Sequence, residues 1–594
     1  MADDDIGGIV TYVVKVKGSA IADTIQLYAL HVEQRVNRIS TATITILDGN
    51  PTTENFSVSA SDTFIPGNEI SIEAGYNSKN TLIFSGIITR QSIRIGANTG
   101  PMLEVECKDK AIKMTVGRKN TASGKIKDSD AMKKLISNAG LSAEVSSTIT
   151  ELPELVQYYC SDWDFLLSRA EINSMLASTI NGKVRVFNPT KDTSVVATLS
   201  YGDNLFSFNA DLNSVTQLPE VKASAWDYQN QKLVSAQAPN NLAGPGNLSS
   251  KKLSEVIGLS DFNLQTTAAA DTDQLSTWAK AQMLKSELSK IIGQGRIQGN
   301  AKVLPGSYVT IDGLGPRFDG DHFIQGITHD ISEGNWFSDV AVGLPVNWFV
   351  QDHELEAPQA AGLLPGIGGL YNATVKKMYE DPDSQYRILV DVALFNDAGE
   401  GLWARLANFY STNGQGAFFL PEVGDEVILG FLNQDPRYPV ILGSMYSSKN
   451  KPYSDFSPNE KNSIKGIVSK SELRVMFDDE NKVLTLITPN KNTAVLSDKD
   501  EKIELKDQNG NSIIMSSSGI EIKSSKTITL TAAEKVNITG NTGVSASASG
   551  GDVSLKGMNI KATADMQFSA KANVSAEVQA SAQLTLKGGI VMIN

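Results

Sequence analysis

Cysteine is almost absent from this 594-residue chain: there are two, Cys107 and Cys160. They cannot form a disulfide framework and belong to no metal-ligand cluster, so buried structural thiols are expected. Histidine is nearly as scarce, with His31, His322, His329 and His353 scattered and no cysteine beside them. No nucleophilic triad or metal site suggests itself, and neither a cofactor nor an enzymatic activity is expected. No apolar run approaches a membrane span, and the opening MADDDIGG is acidic where a secretory signal would be basic. The expectation is a protein made in the cytoplasm without a signal peptide that, if exported, leaves by another route. Basic charge is also short: 53 Lys and Arg against 66 Asp and Glu give a net charge of -13, which argues against nucleic-acid binding. The C-terminal end lacks still more. No proline follows Pro489, and Phe568 is the only aromatic residue after Phe477, so no large side chain can fill an interior there.

What that end does have is a repeat of eight. Stepping from Ile520 gives Ile528, Val536, Val544, Asp552, Ile560, Phe568, Ala576, Leu584 and Met592, nine of ten apolar. Two residues on, the column reads Ile522, Leu530, Ile538, Ala546, Ser554, Ala562, Ala570, Val578, Leu586 and Asn594, with mostly polar residues between the two columns. An apolar-polar-apolar triplet is a short strand with one buried face, and its fixed return means stacked rungs of a β-solenoid or needle. Asp552 and Ser554 slip out of phase beside Gly550-Gly551, a bulge or register correction. Burying a Val, Ile or Leu is worth roughly 1.5–3 kcal/mol, whereas ordering each residue costs about 1–2 kcal/mol in backbone entropy. With one or two good apolar residues per eight, a lone chain comes out behind, and its strand edges would stay open. An intertwined homotrimer is therefore expected. Its core is predicted at Ile520, Ile522, Ile528, Leu530, Val536, Ile538, Val544, Ile560, Phe568, Val578, Leu584 and Leu586.

Upstream the chain is mainly β. Residues 1–115 alternate in runs such as ISTATITIL and EISIEAGY and predict an antiparallel barrel. A helical or mixed insert is expected over 116–194. In it, Ser129 would cap a helix carrying Met132, Leu135, Ile136 and Ala139, and Ser161 another carrying Trp163, Leu166, Leu167 and Ala170, with Asp164 in the capping-box position. A second β-barrel is predicted over 195–350, interrupted by one long helix marked by Leu275, Trp278, Leu284, Leu288, Ile291 and Ile292 and ended by Gly293. Pro, Ala and Gly mark a linker at 351–369. Five strand-like stretches at 370–448 suit a small closed barrel of the OB type, and 466–594 is left for the needle.

The stretch PEVGDEVILGFLNQDPRYPVILGSMY, residues 421–446, resembles the OB-domain signature of the VgrG and phage baseplate spike family. YEDPDSQYRILVDV, LWARLANFYSTNGQG and, earlier, GDNLFSFNADLNSVTQLPEVKASAWDYQNQKLV and GITHDISEGNW fit the same family, which includes tips of type VI secretion systems and of extracellular contractile injection particles. The resemblance implies a tandem β-barrel hub that, as a trimer, seats on a hexameric inner tube, an OB collar and a β-helix spike. It implies baseplate proteins as partners, a PAAR-type tip protein at the C-terminal end and possibly effector cargo. The function implied is mechanical: a spike driven through a target envelope by sheath contraction.

The rival is a receptor-binding fibre or a tailspike polysaccharide hydrolase, which would need paired carboxylates about 5–9.5 Å apart on the solenoid. After Ile520 the acids are Glu521, Glu534, Asp552, Asp565 and Glu577. Only Glu521 and Glu577 share a column, roughly 30 Å apart at about 4.8 Å per rung. Asp425 and Glu426 are strand neighbours on opposite faces. Asp312, Asp319 and Asp321 lack the EF-hand spacing and suit a turn. Ile590, Val591, Met592 and Ile593 abandon the alternation before Asn594. That run is expected either to cap the needle's core or, as the family implies, to seat the tip protein.

Overall fold

The computed structural model describes residues 8–97, 100–395 and 399–593. None of its helices, among the described residues, is long and apolar enough to cross a membrane. Two compact units emerge, the first holding residues 1–371 with two short later segments, the second holding most of the chain beyond residue 371.

In the first unit, strand alternation builds the core directly. Ala42, Ile44 and Ile46 on Thr41–Leu47, Ile70, Ile72 and Ala74 on Glu69–Tyr76, and Leu103, Val105 and Cys107 on Gly100–Lys108 are all buried, at every second residue. Such period-two burial is what a half-buried strand requires. They pack with Val32, Phe64 and Phe84 in one cluster. A second cluster gathers Leu199, Ile297, Val309, Ile324, Ile327 and Val340.

The two clusters lie under one continuous sheet, because Gly326–Ser332 pairs antiparallel with Ala29–Arg35. At this seam His31 Nδ1 lies 2.6 Å from Asp330 Oδ1, directly opposite in register. His329, on the buried side, shares a 2.8 Å hydrogen bond with the Ser338 hydroxyl. Trp336 stacks on Tyr76 at 5.4 Å, and its indole occupies the space beside Gly299, where a Cβ would come within 2.0 Å of the ring. Only glycine fits there.

The helical insert has its own core, with Met132, Ile136, Trp163, Leu166, Leu167 and Ala170. Helix α1 (Asp128–Asn138) starts two residues earlier than a Ser129 cap would place it, and the cap position is Lys127. Asp128 takes the first position, its carboxylate held by Arg169 Nε at 2.7 Å and Nη2 at 2.9 Å, while the Ser129 N–H donates to Thr148 Oγ1. Ser161 does cap helix α2 (Asp162–Ile172), accepting from the Asp164 N–H at 3.1 Å. Asp164 answers by accepting the Ser161 hydroxyl at 2.6 Å.

Helix α3 (Thr272–Leu288) ends at Ser289. Ile291 and Ile292, expected to extend it, instead open the strand Ile291–Gln298, and Gly293 lies within that strand opposite Ala210. The periodicity misleads here because two β-branched residues follow a helical pattern in phase, while pairing with Leu212 and Asp211 rewards the extended form.

Beyond a segment with two short helical turns, Phe349–Asp352 and Gln359–Gly362, five strands form a closed barrel. Their order is Tyr371–Lys377, Ile388–Val392, Leu402–Leu406, Pro439–Ser444 and Glu426–Phe431. The fold is mainly β with an OB-like barrel, as the sequence predicts.

Candidate functional site

The candidate site is the C-terminal region, where apolar side chains and backbone groups have the fewest partners. It begins as a meander of seven five-residue antiparallel strands, Ile464–Val468, Arg474–Asp478, Val483–Ile487, Thr493–Ser497, Lys502–Lys506, Ser512–Ser516 and Gly519–Lys523. Residues directly opposite share a face, so the register aligns two apolar columns. One runs Ile467, Val475, Leu486, Ala494, Leu505, Ile513, Ile522. The other runs Phe477, Leu484, Leu496, Ile503, Met515, Ile520. Residues two apart on one strand also share a face, which makes this one wall. Most of its large side chains stand open, from 43% exposed at Ile503 and Met515 to 69% at Ile520, while Val475, Leu484 and Ile513 are half-buried.

Short polar side chains close the turns. Asp478 accepts from the Asn481 backbone and amide, Thr488 Oγ1 from Asn492, Ser497 Oγ from Asp500 N–H, and Asp507 from Asn511. These are side-chain mimics of backbone turns. The turn geometry repeats every 19 residues: Glu472, Lys491 and Gly510 all have positive φ, as do Lys482 and Glu501. The apolar wall keeps the same step, with Val475, Ala494 and Ile513 and with Phe477, Leu496 and Met515. This 19-residue period is present in the sequence, but the eight-residue step masks it because Ile522, 19 residues after Ile503, also falls in the octad column. Ile520 and Ile522 are therefore not the first rung of the octad. They belong to the last strand of the meander, formed by the tight turn from Ser516 to Gly519.

From residue 524 the chain is extended and bends at 525–526, 533–534, 541–542, 549–551, 558, 565–566, 573–574, 581–582 and 589–590. The bends keep the octad step, and the widened one contains Gly550 and Gly551. Among the described residues, no regular strand and no backbone-to-backbone hydrogen bond occurs within 527–593. The predicted needle residues from Ile528 to Leu586 are 51–74% exposed. Buried backbone groups need partners, and extended segments with open edges obtain them from other chains. Ile590 occupies a bend, Met592 continues the Ile528 column, and Asn594 lies outside the described residues.

The titratable groups are held elsewhere. His322 Nε2 lies 2.7 Å from the Phe318 carbonyl, and His353 stacks on Phe349 at 4.4 Å. Asp319 accepts from the Leu314 N–H and Asp321 from the Thr310 hydroxyl, closing a turn. Asp425 accepts from the Glu422 N–H at 2.8 Å, and Glu426 from the Asn372 amide at 2.6 Å. Burial raises the Cys107 thiol well above its ordinary range, and Cys160 is half-buried; both are free. Among the described residues, no group of three or more His, Cys, Asp or Glu is placed to hold a metal. A cavity of about 440 Å³ contains Lys290, whose amine donates to the carbonyls of Ala243, Pro245 and Leu248 at 2.6, 2.5 and 2.9 Å. That amine ties down a loop and has no hydrogen left for a ligand.

Comparison with known proteins respects the same division of the chain. Residues 6–333 match the Alg8 N-terminal domain family, 371–446 the type VI secretion system/phage-baseplate injector OB domain, and 483–594 the phage baseplate V C-terminal trimerisation domain. The type VI secretion system spike protein VgrG5 of Pseudomonas aeruginosa is 32% identical over 68 residues, 11% of this chain and 9% of that one. VgrG3 of Vibrio cholerae is 30% identical over 100 residues, 16% and 10% of the two chains. The chain thus spans about a tenth of the length of these curated relatives. Among solved structures, the E. coli c3393 protein, a component of the type VI secretion system, aligns over 73% of this chain and 99% of its own at 12% identity, with a TM-score of 0.38. A tail protein from Neisseria meningitidis MC58 aligns over 58% and 98% at 14% identity, with a TM-score of 0.42. The Alg8 N-terminal domain model matches more than half of the chain, which therefore belongs to that family, and the injector OB and baseplate trimerisation domains that follow support a VgrG-type spike.

Proposed function

We propose that three copies of this chain wind into the puncturing spike of a contractile injection apparatus. The observation that carries the reading is the C-terminal region: an apolar wall of seven strands followed by an extended octad, both left uncovered by their own chain. Three walls turned inward would bury the wall residues, each worth roughly 1.5–3 kcal/mol. Three wound octads would pair every rung and remove the open edges. A fully hydrogen-bonded shaft of this kind is stiff, and stiffness is what a driven spike must supply.

The continuous sheet of the first unit, with its two core clusters, would seat on a hexameric tube within a baseplate, and the spike would leave with the particle instead of through a signal-directed route. A PAAR-type tip protein would sit on Ile590, Val591, Met592 and Ile593, and effectors would travel on the tip or behind it. The work comes from the sheath, and no residue is assigned to turnover. Light scattering on the purified protein should give the mass of three 63.8 kDa chains; a monomer would end the reading. Glycan cleavage by the purified trimer would favour the tailspike alternative instead. Removal of residues 590–594 should abolish capture of the tip protein while leaving the trimer intact, and unchanged capture would reject that seat.

A further inference from the structure

Residues 241–248, Asn-Leu-Ala-Gly-Pro-Gly-Asn-Leu, lie between the strand Lys232–Pro239 and the short helix Ser250–Ser254 and belong to neither. Two side chains at the end of helix α3 hold this loop in their place. Glu287 Oε1 accepts the N–H groups of Asn241 and Leu242, both at 2.9 Å. Lys290 donates to the carbonyls of Ala243, Pro245 and Leu248. The anion thus takes the loop's donors and the cation, three residues on, takes its acceptors. Backbone adds a bond from the Gly246 N–H to the Asp319 carbonyl and one from the Asn247 N–H to the Pro316 carbonyl, each 2.8 Å.

The surroundings of Lys290 are those of a bound monovalent cation. An ammonium is a compact point charge with three donors, and here each donor meets one carbonyl, at 2.5–2.9 Å. The residue is 1% exposed. A buried charge needs partners, and among the described residues its amine has these three carbonyls and no carboxylate. Gly244 shows how closely the loop wraps it: a Cβ there would lie 3.0 Å from the amine, and φ is +65°.

The loop also covers something. Through Leu242, Pro245 and Gly246 it forms part of the wall of the cavity of about 440 Å³, whose lining includes Tyr308, His322 and Phe323, all buried. Five hydrogen bonds from two side chains can be lost together without parting any strand, so this segment can open locally while the sheet stays closed.

We propose that residues 241–248 are a lid on this cavity and that the Lys290 ammonium is its catch, filling a carbonyl cup that suits a monovalent cation. Potassium takes carbonyl ligands in the same way and is close to ammonium in size, so the cup should accept it once the tethered cation is removed. All of these residues belong to the first unit of one chain. The inference therefore stands apart from the spike reading and concerns a cavity which that reading leaves unused.

The test is hydrogen exchange of the purified full-length protein, read by mass spectrometry, together with diethyl pyrocarbonate labelling of His322 to report on the cavity. In the parent the amides of the loop should be protected and His322 unlabelled. In Lys290→Ala the Gly246 and Asn247 amides should exchange about a hundredfold faster or more, as loss of three charge-assisted hydrogen bonds implies. His322 should then be labelled, while His329 and the strand Thr41–Leu47 keep their protection. Potassium chloride should restore both readings, and lithium chloride at the same ionic strength should not. Unchanged exchange in Lys290→Ala would overturn the catch. Equal effects of the two salts would overturn the cation cup, and an unlabelled His322 beneath an exchanging loop would overturn the lid. If Lys290→Ala fails to fold, or loses protection in Thr41–Leu47 as well, Gly244→Ala decides, since it keeps the lysine and crowds its amine. Faster loop exchange with an intact sheet would support the catch, and any other result in that variant would reject it. A parent that fails to trimerise would strike the spike reading alone, because the lid is read within one chain.

Discussion

Two strands separate the two halves of this molecule. Thr41–Leu47 in the first unit and Val483–Ile487 in the meander are both short, β-branched-rich and antiparallel on each side. Yet Ala42, Ile44 and Ile46 are completely buried, whereas Leu486 is 45% exposed. The difference lies in what faces them. The first strand packs in one buried cluster with Phe64 and Phe84 of its own chain; the second leaves its apolar wall uncovered by its own chain. A strand of the hub is thus stable through its chain, and a strand of the needle only through its assembly.

The sharpest way to break that comparison is to charge the wall. Leu486→Asp with Leu505→Asp places two carboxylates on one column, two strands apart. In a trimer they are repeated three times and buried without partners, a penalty of several kcal/mol each. The expected outcome is a single-chain mass by light scattering with an unchanged tryptophan unfolding curve. All six tryptophans precede residue 404 and so report on the hub and the barrel. Persistence of the trimer would show that the wall faces solvent.

The converse substitution is Ile44→Ala. Its side chain is wholly buried within one chain, so truncation should cost about 2–5 kcal/mol. The tryptophan transition should move to lower temperature while the trimer mass stays the same. If this variant also dissociated the trimer, the two regions would not be separately stabilised.

The same contrast explains what could be read in advance. Alternation with a partner layer supplied by the chain itself made the β-rich hub and the small barrel legible, because the period-two pattern and its turns are local. The octad was legible as a repeat, and the bends at every eighth residue follow it. Less local features were hidden. The pairing of Gly326–Ser332 with Ala29–Arg35 links segments almost 300 residues apart, which no local pattern announces. Ile291 and Ile292 fit a helix and a strand equally well, and long-range pairing decided between them. Ser129 lies inside the helix and not at its cap, because Asp128 is drawn into the first helical position by Arg169 on another helix. In the candidate site, Ile522 fits both the 19-residue period, after Leu484 and Ile503, and the eight-residue one, before Leu530, which concealed the change from meander to octad.

Acid should act on the first half of the comparison and spare the second, since the needle has no histidine. Burial lowers the His329 imidazole to about 4, against a small opposing pull from Asp330. The folded state then keeps this ring neutral while the unfolded chain protonates below about 6.5. Stability is fully present above that pH and falls as pH drops from 6.5 toward 4, by about 3 kcal/mol at the limit. His322, also lowered by burial, adds in the same direction. His31 opposes both: the hydrogen bond to Asp330 raises it, so its contribution is complete below 6.5 and fades as pH rises through its folded value. His329→Gln should flatten most of the acid loss in tryptophan-detected melts. An equally steep loss in that variant would assign the sensitivity to carboxylates.

The smallest expected effect sharpens the comparison from the needle's side, since it acts on the meander alone. Lys491 and Gly510 occupy the same place in successive 19-residue repeats, with φ of 65° and 88°. A non-glycine residue in this region costs about 1–2 kcal/mol, partly offset by the greater freedom glycine has when unfolded, roughly 0.5–1 kcal/mol. Lys491→Gly should therefore stabilise each chain by a few tenths of a kcal/mol to about 1, and Gly510→Ala should destabilise it by a similar amount. No atom lies within 4 Å of a Cβ added at Gly510, so the effect there is one of backbone conformation and not of packing. Three copies multiply the shift per trimer. The temperature at which the trimer dissociates in detergent should rise for the first variant and fall for the second, with the tryptophan melt unmoved in both. If both variants shifted the tryptophan melt as well, the turns of the needle would be coupled to the hub, and the two halves would share their stability after all.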